Sequence, residues 1–88
     1  MQEDRIIDDM NNTIGNNIRK IRLHKKIGQT ELVRQLQLIG INITRETLVK
    51  IERGIQHIKL SQLKGICYIL KFPYIELLGD IPEYSDIY

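Results

Sequence analysis

The sequence has no alanine, a single cysteine and no apolar run longer than Ile66–Leu70. A lone thiol cannot close an internal disulfide, so extracellular stapling is not implied. Ile66, Ile69 and Leu70 surround Cys67 in sequence, which marks it as a core thiol rather than a nucleophile. Such short runs exclude a membrane-spanning helix, which needs roughly 20 apolar residues. The first residues are acidic and lack the apolar segment of a signal peptide, so the expectation is a cytoplasmic protein with no membrane partner. No glycine-rich phosphate loop and no paired catalytic carboxylates stand out. His24 and His57 lie far apart, with no Cys, Asp or Glu at metal-ligand spacing. These absences argue against an enzyme, a bound metal, a cofactor and a small-molecule substrate. The missing alanine, beside 17 isoleucines, points to an AT-rich coding genome and carries no functional weight.

What is present is ordinary for a folded chain. Apolar residues make up 42% and charged residues 27% of 88 residues, which excludes disorder and suits one small domain. The net charge of +2 conceals a strong asymmetry. Residues 1–12 set Arg5 against Glu3, Asp4, Asp8 and Asp9. Residues 13–59 hold ten Lys or Arg against Glu31, Glu46 and Glu52. Residues 60–88 set Lys64 and Lys71 against Glu76, Asp80, Glu83 and Asp86. A basic middle between acidic ends suits a polyanionic partner.

Apolar spacing reads as helices throughout, with no strand pattern and no internal repeat. The acidic stretch 1–12 keeps helical spacing at Ile6, Ile7 and Met10, and Asn11, Asn12 and Thr13 are expected to break it. A first helix is expected over about Gly15–Lys26, with Ile14, Ile18 and Ile21 inward and Arg22 beside them. A second opens at Gln29 with Leu32, Val33, Leu36 and Ile39 inward, and stops at Gly40. A third runs from Thr44, a good N-cap, to Arg53, with Gly54 as its C-terminal stop. A fourth spans Leu60–Leu70 with Leu60, Leu63, Ile66, Cys67 and Leu70 on one face. Gly65 weakens it by about 1 kcal/mol. Pro73 suits the first turn of a short fifth helix carrying Tyr74, Leu77 and Leu78, closed by Gly79. The domain expected is 13–79, with 1–12 an acidic extension and 80–88 an acidic tail.

One position breaks the pattern. Glu52 lies four residues after Leu48, on the buried side of the third helix. An unpaired buried ion costs several kcal/mol, and Arg22 also lies on a buried face. Pairing the two is the economical solution, because the guanidinium fork matches a carboxylate.

The segments "IGNNIRKIRLHKKIGQTEL", "LVKIERG" and "LKGICYILKFPYIELLG" resemble the Cro and phage-repressor (Xre-like) helix-turn-helix family over residues 14–79. The resemblance implies an all-α, five-helix, lambda-repressor-like domain. It implies a transcriptional regulator, a repressor by expectation, that binds double-stranded DNA as a homodimer in a bacterial nucleoid. By position, Arg22 and Glu52 match a structural ion pair of the family. Gln29 matches a glutamine that contacts phosphate and steadies the reading helix. Arg45, Glu46 and Val49 match positions facing base edges, and Thr44, Lys50 and Arg53 match positions near the backbone. A helix fits the major groove, and its N-terminal residues reach in first.

The chain departs from the family pattern in places. About five extra residues around "LQLIGIN" imply a lengthened loop between helices two and three, carrying Ile39, Ile41 and Ile43. Gly28 stands where Ser or Thr caps helix two, and Lys71 where Gly ends helix four. The lengthened loop and acidic ends keep an alternative open, an antitoxin-like or anti-repressor interaction module. For a dimer contact, Tyr74, Leu77, Leu78 and the tail are the apolar surface expected.

Overall fold

Four helices each end where one residue adopts left-handed backbone and the chain turns back on itself. The structure is a computed structural model that describes residues 2–78, with side chains from Asn12 onward apart from Tyr74 and Leu78. The helices are α1 (Gln2–His24), α2 (Gln29–Leu38), α3 (Arg45–Glu52) and α4 (Leu60–Leu70), followed by a 3₁₀ helix, Tyr74–Leu78. Lys26, Gly40, Gly54 and Lys71 carry φ of 60°, 88°, 77° and 56°. At each, the next amide closes back across the last turn: Ile27 N–H to Arg22 O, Ile41 to Leu36 O, Ile55 to Lys50 O, and Phe72 to Cys67 O. Every residue in that closing position is large and apolar, the accompaniment of this helix stop. Ile27, Ile41 and Phe72 pack against the core, while Ile55 stays exposed.

The core joins Ile18 and Ile21 of α1 to Leu32, Val33 and Leu36 of α2, Leu48 and Ile51 of α3, and Leu63, Ile66 and Leu70 of α4. Each such side chain contributes about 1.5–3 kcal/mol by leaving water. α3 packs on α1 and α2, and α4 packs on α2, α1 and the 3₁₀ helix. Residues 39–44 join α2 to α3, held by Ile43 in the core and by Gln37 Nε2 donating to Ile43 O at 2.9 Å. Gln62 is buried, with Oε1 accepting the Lys59 N–H at 3.0 Å at the start of α4.

Several expectations need correction. No break falls at Asn11–Thr13, and α1 is one helix from Gln2 to His24. Ile39 and Leu60, expected inward, are 46% and 63% exposed, because each lies at a helix end where the core no longer follows the period. The fifth helix is a 3₁₀ segment rather than an α-helix. Leu77, expected on a dimer surface, is buried in the core. Its carbonyl oxygen accepts from the buried Asn17 Nδ2 at 2.8 Å, so the segment is bound inward onto α1. The expectations for the side chains of Tyr74 and Leu78 and for the tail lie outside the described residues. Burial raises the Cys67 thiol above its ordinary pKa, the direction opposite to that of an activated nucleophile.

Gly28 caps α2 in extended backbone, with no side chain to accept a hydrogen bond. A Cβ there would meet nothing within 4 Å. Gly28→Ser should therefore stabilise the fold by about 0.5–1 kcal/mol, through a cap bond and a less flexible unfolded chain. A urea titration should show a raised midpoint with an unchanged slope. A lowered midpoint would contradict this account of the cap.

Candidate nucleic-acid interface

α3 begins where Thr44, in extended backbone, accepts the Thr47 N–H on its hydroxyl at 3.1 Å. That bond satisfies one of the amides a helix start leaves open. Leu48, Ile51 and Glu52 then face inward and are buried. Arg45, Glu46, Lys50 and Arg53 are exposed, and Val49 is half-buried between them. At helical spacing these five side chains share the face turned away from the core.

Glu52 is the junction of three helices. Arg22 Nε, from α1, donates to Oε2 at 2.7 Å, and Arg22 Nη2 to Oε1 at 3.0 Å. Gln29 Nε2, at the start of α2, donates to Oε1 at 3.1 Å. Arg22 Nη1 also donates to Ile27 O at 2.9 Å, binding the α1–α2 turn to the same cluster. The fork-on-carboxylate geometry leaves both charges compensated inside the fold. Among the described residues, no buried side-chain nitrogen or oxygen lacks a partner.

Two glycines set how closely α1 approaches α3. A Cβ on Gly15 would overlap the Ile51 carbonyl oxygen, so the α1 backbone rests directly on the end of α3. A Cβ on Gly54 would overlap the Asn12 side chain in the same seam. The 3.6 period placed neither contact, because a glycine carries no hydropathy signal about what faces it. Asn17 was missed as well, although it lies three residues after Ile14 and four before Ile21. A polar residue repeating on an apolar stripe was the signal available.

A family model for the Cro/C1-type helix-turn-helix DNA-binding domain matches residues 17–83. The chain belongs to that family. Its Cro/C1-type unit takes in α2, α3, α4, the 3₁₀ helix and the part of α1 that carries Arg22. No curated protein and no solved structure matched the chain. The family is a DNA-binding one. Among the described residues, no helix is long and apolar enough to cross a membrane. None of their His, Cys, Asp and Glu side chains gather in a group able to hold a metal.

α2 carries a further charged pair. Arg34 Nε donates to Glu31 Oε1 at 2.9 Å, and Gln35 Nε2 to Oε2 at 2.8 Å. The Arg34 guanidinium, then the Gln35 amide, hold the Glu31 carboxyl down to about 2. Both partners are exposed, so the pair orients side chains more than it stabilises the fold.

Proposed function

We propose that α3 enters the major groove of double-stranded DNA and that the protein regulates transcription as a repressor, by occluding a promoter. The observation that carries this reading is the single outward face of Arg45, Glu46, Val49, Lys50 and Arg53 on a helix braced from behind by Glu52. Arg45, in the first turn, is the guanine reader, since its fork suits O6 and N7. Glu46 accepts from a cytosine amine, and Val49 offers an apolar contact to a thymine methyl. Thr44, Lys50 and Arg53 lie at the phosphates. Gln29 combines a phosphate contact with its bond to Glu52. We take residues 39–44 as a lengthened turn that sets the angle of α3, within a unit spanning 13–79, flanked by the acidic segments 1–12 and 80–88.

One reading head covers few base pairs, so a homodimer on a twofold site is the natural assembly. With Leu77 turned inward, the exposed Ile75 is the apolar side chain that the 3₁₀ helix offers to a partner among the described residues. The protein acts in the cytoplasm, at the nucleoid, without a cofactor.

Selection from a random duplex pool, followed by binding at several salt concentrations, tests this reading. Arg45→Ala should cost about 1–3 kcal/mol on the selected site and flatten discrimination against mismatches. Arg53→Ala should weaken all sequences alike and lower the salt slope by about one. A folded wild type with no affinity above the nonspecific level on any selected duplex would leave an interaction module as the better description.

A further inference from the structure

On the side of α2 where α4 packs, the surface carries an apolar groove that the DNA-reading face does not use. It is an open groove of about 550 Å³ lined by Gln35, Leu38 and Ile39 from α2 and by Tyr68, Ile69 and Lys71 from α4 and its end. Leu38 is 72% exposed and Tyr68 73%, the highest values among the described large apolar side chains. Isolated exposed apolar residues are ordinary, but here they converge on one concavity. None of the lining residues belongs to α3, so the groove and the outward face of α3 do not overlap.

The area and the charge of the groove decide what fits it. The apolar surface that Leu38, Ile39 and Tyr68 turn into the groove is small. A standard interface needs about 800 Å² from each partner, so a second copy seated here alone falls short. The concavity lies between two helices, and no sheet edge is present among the described residues to add a strand. A helix laid in the groove, with apolar anchors along one face, is the mode such a surface serves. The charged lining residue is a cation, Lys71, exposed and without an ion pair among the described residues. The Gln35 amide is already held by Glu31. We propose that the α2–α4 groove docks an amphipathic helix of another protein, with apolar residues at i, i+3 or i+4, and i+7, and an acidic residue paired with Lys71. A regulator bound to DNA through α3 would thereby hold a protein partner at the same time.

The probe is a library of randomised helical peptides, selected on the folded 88-residue protein and mapped by NMR. Selected peptides should converge on that apolar spacing with an acid, and should shift the resonances of Leu38, Ile39 and Tyr68. Leu38→Lys should weaken the selected peptide by at least about tenfold, as loss of an interface anchor does. Lys71→Glu should shift the preference of the pool from acidic to basic peptides. Leu38 is exposed, so its variant should keep the wild-type fold and its affinity for a selected duplex. Loss of DNA affinity in the wild type would thus speak to the α3 reading and leave the groove test intact. Four outcomes overturn the proposal: no peptide selected, a pool enriched in basic residues, binding of a synthetic 79–88 peptide in place of the pool, or self-association abolished by Leu38→Lys. The last two would give the groove to the chain's own tail or to a second copy.

Discussion

Replacing Glu52 by alanine should lower the stability of the fold by about 3–5 kcal/mol, the cost of leaving one member of a buried ion pair unpaired. Arg22 is 7% exposed and would keep its single bond to Ile27 O while losing both bonds to the carboxylate. Gln29 would lose its acceptor too. Domains of this size are stable by about 5–15 kcal/mol, so such a loss is a large share of the total. The control separates the pair from its parts. Arg22→Met with Glu52→Leu removes both charges and should recover much of the loss, since buried pairs replaced by apolar side chains are often neutral or better. Urea titration with an unchanged slope is the measurement. An alanine variant as stable as the parent would remove the ion pair from the account of how α3 is braced.

Gly15→Ala should be the second large effect, and its sign runs against ordinary helix propensity. In an exposed helix interior, alanine in place of glycine gains about 1 kcal/mol. Here the added methyl overlaps the Ile51 carbonyl oxygen, and the backbone of α3 cannot swing aside as a side chain does. α1 and α3 must separate, at a cost of about 3 kcal/mol from overpacking. Gly65→Ala is the informative comparison. A Cβ there meets Ile41 Cγ1 at 2.9 Å and Leu36 Cδ2 at 3.0 Å, side-chain atoms that can yield by a rotamer change. The loss at Gly65 should be smaller. Because the separation moves α3, Gly15→Ala should, on the proposed function, also reduce affinity for the selected duplex at temperatures where circular dichroism shows the variant folded. A variant more stable than the parent would mean that α1 does not rest on α3 in this way.

Helix positions followed from local chemistry wherever a single turn carries the information. Thr44 and Gly54 bracket α3 because capping a helix start and turning its end need only neighbouring residues. Leu32, Val33 and Leu36 were legible as a buried face because the period is a property of the helix alone. The Arg22–Glu52 contact was legible for a different reason. Two charges on apolar stripes can be tolerated only together, so elimination proposed a long-range pair that the geometry now provides.

Other features depended on what lies across the gap, which a sequence does not state. Asn11–Thr13 have weak helix propensity, yet that costs only a few tenths of a kcal/mol per residue, and α1 continues through them. Leu60 and Ile39 keep the period of their helices but fall beyond the reach of the core. Leu77 falls in the segment expected to face a dimer partner, yet it is buried, and its carbonyl oxygen accepts from Asn17, sixty residues earlier. Gly15 carried no signal, since the meaning of a missing Cβ lies in the backbone it approaches. α2, α3 and α4, the stops at Gly40 and Gly54, the charged outer face of α3 and the need for a buried counter-ion were legible from neighbouring residues alone. The tertiary structure alone decided which apolar residues are covered, how closely α1 presses on α3, and that a groove is left between α2 and α4, because packing is set by surfaces that meet only when the chain has folded.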